Sequence, residues 1–145
     1  MPAASHNFIL SLDVGGKRVG VAIASLIARL PRPLTTLEQS ETFFDDLANI
    51  VESEDIGAIV VGFPRGLSGQ HTQQTSTIED FTKQLRQHFD LPIHFQDEAL
   101  TSQKAEEELE ARGAAYKKGD IDALAATYIL DDFLTDHQNL EGVTT

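Results

Sequence analysis

The sequence predicts a three-layer α/β domain, a mixed five-stranded sheet flanked by helices. Three observations carry that prediction. Residues 8–14 (FILSLDV) and 18–24 (RVGVAIA) are short apolar runs separated only by Gly15, Gly16 and Lys17, the pattern of two antiparallel strands joined by a tight hairpin. Residues 57–64 (GAIVVGFP) form a wholly apolar run, as expected of a central strand covered on both faces. The order strand, helix, strand from residue 57 to residue 96 implies a parallel crossover.

Taken in chain order, the hairpin is followed by a candidate third strand at 33–38 (PLTTLE), whose flanking Pro31 and Pro33 suit an edge position. From Glu41 to Glu54, Phe43, Phe44, Leu47, Ile50 and Val51 recur at helical spacing, with Ser40 as the expected N-cap. The polar stretch RGLSGQHTQQ leaves the central strand. A second helix is predicted over 75–88 from Ile78, Phe81, Leu85 and the following Phe89, then a strand at 92–96 that runs into Asp97 and Glu98. Thr101 can cap a third helix reaching Arg112, with Gly113 at C′. A last helix starts near Asp120 with the stripe Ile121, Leu124, Ala125, Tyr128 and Ile129. Residues 137–145 show no core-facing pattern. The expected organisation is a disordered N-terminus at 1–7, one domain at 8–135 and a flexible tail at 136–145, without internal repeats.

A chain of 145 residues with 41% hydrophobic content fits one compact domain. The absence of cysteine excludes disulfides and thiolate metal sites. No apolar stretch approaches the roughly 20 residues that cross a bilayer, so no membrane association is expected. The start, MPAASHN, lacks the basic segment and apolar run of a secretory signal, which points to the cytoplasm. The net charge of −12, from 23 acidic and 11 basic residues, repels nucleic acid at long range. A polyanion must therefore be held by local cations or through a bound metal.

The chemistry concentrates at strand ends, outside which ligands collect in α/β sheets. Asp13 closes an apolar strand beside a Gly-Gly turn, where neither solubility nor capping explains a carboxylate whose burial would be costly. Glu98 follows another strand, and Asp122 lies near the start of the last helix among small residues that permit close approach to the sheet. Each has a plainer explanation, Asp122 as complementing the helix dipole, Asp97 as a solvated turn residue and Glu98 as an exposed one, and for Asp122 taken alone the plainer one is preferred. Together, Asp13, Glu98 and Asp122 could converge. Carboxylate oxygens without His or Cys partners suit Mg²⁺ or Mn²⁺, and two such ions about 3.5 to 4 Å apart support phosphodiester hydrolysis. The chemical inference is a metal-dependent nuclease. Lys17 and Arg18 in the hairpin, Arg65 with Gly66, Ser68 and Gly69 after the central strand, and Lys117 and Lys118 before the last helix are candidate phosphate contacts. Each of these is also accounted for as a solvated or turn residue, although a helix N-terminus disfavours the two lysines at 117 and 118. His6, His71, His88, His94 and His137 have no ligand spacing.

The segments LDVGGKRVGVAI, IVVGFPRGLSG, DEALT and KKGDIDALAATYIL, in this order, resemble the YqgF (RuvX-type) family across about residues 8–135. The resemblance implies an RNase H-like fold. Members are described as nucleases of precursor 16S ribosomal RNA and were earlier grouped with the Holliday junction resolvase RuvC, so it implies a nucleic-acid partner: structured RNA, or a DNA junction. It implies catalytic and metal-binding roles for Asp13, Glu98 and Asp122 with Mg²⁺ or Mn²⁺, and it selects Asp122 over Asp120, which is left as the N-cap. A monomer or weak homodimer is expected. The chain departs from the family pattern at Gly16, where Thr is usual, and at Ala99, where Arg is usual; the lost cation could be replaced by Lys104, Arg112 or Lys117. Two other readings stand beside the nuclease. Actin-like and sugar-kinase ATPases share the core and the glycine turn but need a second lobe, and a non-catalytic adaptor for protein or RNA fits Ala99 and the acidic charge.

Overall fold

The computed structural model describes residues 7–64, 73–98, 101–113, 118–139 and 143, with backbone alone at 64, 73–74, 98, 101–104 and 118. The elements are β1 (Phe8–Val14), β2 (Arg18–Ser25), β3 (Arg32–Glu38), α1 (Phe43–Ser53), β4 (Ile56–Pro64), α2 (Gln73–His88), β5 (Ile93–Glu98), α3 (Thr101–Ala111) and α4 (Lys118–Asp136). The sheet order is β3-β2-β1-β4-β5. β1 pairs antiparallel with β2, and β2 with β3, whereas β1/β4 and β4/β5 are parallel. Pro33 sits on an edge strand, as expected, opposite Ala22 next to a register shift in β2.

Strand alternation sorts the core into two faces. Leu10, Leu12, Val19, Val21, Ile59 and Val61 pack with Phe43 and Leu47 of α1 and Ile78, Phe81 and Leu85 of α2. On the opposite face Ile9, Ala22, Ala24, Ala58 and Val60 meet Ala126, Ile129, Leu130 and Phe133 of α4. The alanines keep this second face shallow, so α4 lies close to the strands. α3 covers α4 from outside through Ala105 against Leu124 and Ala125.

Ser11 is fully buried on the α4 face, and its hydroxyl donates to the Ala126 carbonyl at 2.5 Å. The Ala126 carbonyl is also the acceptor of the Leu130 N–H inside α4, so losing the hydroxyl removes one buried hydrogen bond without orphaning its acceptor. Ser11→Ala is therefore expected to lower unfolding free energy by about 0.5 to 1.5 kcal/mol, read as a shift of the urea midpoint at unchanged slope. At its other end α4 is held by Arg29, which has φ +56° and whose Nη2 donates to the carbonyls of Leu134 (2.5 Å) and His137 (3.2 Å).

Several boundaries differ from the sequence reading. Ser40 is not the N-cap of α1; that position belongs to Thr42, with no side-chain cap bond, while Ser40 builds a preceding turn by accepting the N–H groups of Phe43 and Thr42. α2 and α4 each begin two residues earlier than expected. Asp120 consequently lies inside the first turn of α4 and is not its N-cap, and Asp122 opens the second turn. Asp97 and Glu98 belong to β5 itself, and Thr101 is the first residue of α3 instead of its cap. Gly113 does take the left-handed conformation (φ +69°) expected at C′. Beyond α4, Val143 is buried against the α4 face and its carbonyl lies 2.8 Å from His94 Nε2, so the segment after 137 does contain a core-facing residue.

Candidate active site

Asp13 shares strand parity with Ile9 and Ser11 and so belongs to the α4 face of β1. Across the sheet it stands opposite Gly20 of β2, and Gly20 stands opposite Thr36 of β3. The N-terminal half of α4 lies on this row. A Cβ at Gly20 would fall 1.9 Å from the Asp122 carbonyl oxygen, 2.2 Å from its carbon and 2.9 Å from the Ala123 nitrogen. Only a residue without a side chain permits such an approach. Thr36 Oγ1 adds a second tie, donating to the Gly119 carbonyl at 2.6 Å. Facing residues of an antiparallel pair are about 5 Å apart. Gly20 therefore seats Asp122 on the neighbour of Asp13, although 109 positions separate the two acids in sequence (122 − 13).

The location of Asp122 weakens its simplest alternative explanation. Charge–dipole stabilisation fades beyond the first helical turn, and Asp122 lies past it. Its carboxylate has a cationic partner: Arg18 Nε donates to Oδ2 at 2.7 Å, with the side chains 36% and 21% exposed. The structure thus places Arg18 on an acid of the candidate site. Lys17 is exposed in the hairpin turn, which is closed by the Gly15 N–H to the Arg18 carbonyl and clamped by Gln39, whose N–H donates to the Lys17 carbonyl and whose Nε2 donates to that of Gly15. Arg112 is engaged with Glu108 one turn back, at 2.6 Å. A cavity of about 560 Å³ opens beside the start of α4, lined among others by Thr36, Arg112, Gly119 and Asp120.

Glu98 closes β5 opposite Pro64, so its backbone reaches the same end of the sheet as Asp13. It is two strands from β1, about 10 Å at the usual strand spacing, and its side chain is outside the described set. Among the described residues, no group of three His, Cys, Asp or Glu forms a metal cluster. Arg65, Gly66, Ser68, Gly69, His71, Ala99 and Lys117 lie outside the described residues, and Lys118 contributes its backbone to the start of α4. Sequence reasoning missed Gly20 and Thr36. The signal for Gly20 was available, because a glycine inside the β-branched run RVGVAIA marks a close backbone approach.

Comparison with known proteins adds an independent observation. The family model described as "RuvX: Holliday junction resolvase" matches residues 7–136. A protein of Maridesulfovibrio salexigens named "Putative pre-16S rRNA nuclease" is 38% identical over 130 residues, covering 87% of this chain and 96% of its own. Among solved structures, T. thermophilus RuvC in complex with a Holliday junction substrate superimposes with TM-score 0.54 at 15% identity, over 90% of this chain and 96% of that one. The fowlpox virus resolvase in complex with Holliday junction DNA gives 0.50 at 14%, over 92% and 99%. These two likenesses establish an RNase H-like fold.

Proposed function

Because the chain belongs to the RuvX family, we propose that it is a metal-dependent endonuclease that hydrolyses phosphodiester bonds in structured RNA, foremost precursor 16S ribosomal RNA. The observation that supports this reading is the seating of the Asp122 backbone over Gly20, the strand neighbour of Asp13, at the sheet end where Glu98 also terminates.

The donor set fits a hard divalent ion. Asp13 and Asp122 offer oxygen ligands only, their part of the molecule already attracts a cation in the form of Arg18, and Glu98 is the third ligand in this reading. When bound there, Mg²⁺ or Mn²⁺ would supply Lewis acidity towards the scissile phosphate and lower the pKa of a water. The chain's own contribution is positional. Gly20 and Thr36 set the height and register of α4, so the Asp122 backbone is held beside the Asp13 strand without reorganisation at the moment of reaction. Lys17, Arg65, Lys117 and Lys118 would grip the flanking phosphates, with Arg18 beside them. Such contacts would offset the long-range repulsion of a chain with net charge −12. The protein acts in the cytoplasm, as a monomer or weak homodimer. Among the described residues no helix is long and apolar enough to cross a membrane.

The family description favours a second reading, cleavage of a four-way DNA junction. Incubating the purified protein with a precursor 16S fragment, an unstructured single-stranded RNA and a four-way DNA junction, each with Mn²⁺ and with chelator, separates the two. Product from the precursor alone, and only with Mn²⁺, is expected. Junction cleavage without RNA cleavage would transfer the assignment to DNA, and no product from any substrate would remove the nuclease reading.

A further inference from the structure

Arg18 is the residue whose place in the structure differs most from what its position in a basic hairpin suggests. Its guanidinium does not stand apart over the strand ends; Nε is 2.7 Å from Asp122 Oδ2. Ordinary stability does not explain the pair. Both partners are partly exposed, at 36% and 21%, and such pairs contribute little to folding. What the contact does accomplish is geometric. The Asp122 main chain is fixed by Gly20 and the preceding turn by Thr36, which leaves side-chain rotation as the remaining freedom of the carboxylate. Arg18 restricts it through Oδ2, and Oδ1 is the oxygen a ligand would take.

We infer that Arg18 is a positioning residue that holds the Asp122 carboxylate in its metal-accepting orientation, and that it is not primarily a phosphate contact. This rests on the nuclease reading above. Carboxylates that bind metals are themselves hydrogen-bonded, and loss of such a partner commonly lowers metal affinity 10- to 100-fold. Arginine suits the task because its Nε–H is held in a rigid planar fork, whereas a lysine ammonium is a mobile point charge.

The test is calorimetric titration of Mn²⁺ into the substrate-free protein, comparing wild type, Arg18→Gln and Arg18→Lys, with melting temperatures measured in chelator. The expected result is Mn²⁺ affinity about 10- to 100-fold weaker in Arg18→Gln, also weakened in Arg18→Lys, with a melting temperature near that of wild type. Should Arg18→Gln fail to fold, Arg18→Lys, which keeps the charge without the Nε–H, carries the same comparison. Unchanged or tighter Mn²⁺ binding in these variants would overturn the inference, most plainly if RNA binding fell and its salt slope dropped by about one, the signature of a lost phosphate contact. A wild-type protein that takes up no Mn²⁺ would sink the nuclease reading and this inference with it. Wild-type uptake matched by Arg18→Gln would sink this inference alone.

Discussion

Asp13→Asn is expected to abolish cleavage while leaving the fold intact. The substitution keeps the shape of the side chain and the β1 backbone, which is paired on both sides by β2 and β4, but removes the charge that a divalent ion requires of its ligand. Metal assistance is worth several kcal/mol of transition-state stabilisation, and about 1.4 kcal/mol corresponds to a factor of ten. The rate at saturating RNA and Mn²⁺ should therefore fall by at least about 10³-fold. The melting temperature in chelator should stay level or rise, because neutralising one member of a carboxylate group relieves like-charge repulsion. Wild-type turnover in this variant would take Asp13 out of the mechanism.

Gly20→Ala should have the largest effect on stability. The new methyl would sit 1.9 Å from the Asp122 carbonyl oxygen, closer than any real Cβ contact, and the obstacle is helix backbone that cannot rotate away. Either α4 lifts from the sheet or β2 bends. Lifting α4 would loosen Ala126, Ile129 and Phe133 from their face and strain the Thr36 tie to Gly119. Overpacking in a well-filled interior costs typically about 1 to 3 kcal/mol, and a backbone clash this close belongs at or beyond the upper end. Chemical denaturation measures the loss. A variant as stable as wild type would mean that α4 does not lie on Gly20.

The sheet and its helices were legible in the sequence because their apolar periodicities are long and unmixed. Phe43 and Leu47 mark α1 at helical spacing, and the uninterrupted β4 run correctly announced a strand covered on both faces. Helix starts were harder to read. Ser40 has the chemistry of an N-cap but uses its oxygens in a turn one step earlier, and Asp120 has the same chemistry but lies inside a helix that Lys118 and Gly119 begin. Val143 escaped notice because a lone buried residue produces no period. Asp13 was recognisable as an acid out of place, whereas the coupling of Asp122 to Arg18 spans 104 positions and is fixed only by how α4 crosses the sheet.

That crossing also sets the order in which the protein can be completed. The contacts that seat α4 join residues 83 to 115 positions apart: Thr36 to Gly119, Arg18 to Asp122, Ser11 to Ala126. By contrast, the β1-β2-β3 meander is closed by short connections. Contacts between distant parts of a chain form late, because the entropy of closing a long loop is spent before they repay it. During synthesis the N-terminal elements emerge first. The meander carrying Asp13 can thus pair while α4 is still untranslated, and Asp122 is seated beside the Asp13 strand only after nearly the whole chain is available. Under the proposed assignment, catalytic competence is in this way tied to finished synthesis, and an incomplete chain that exposes its strands lacks the seated α4 that carries Asp122.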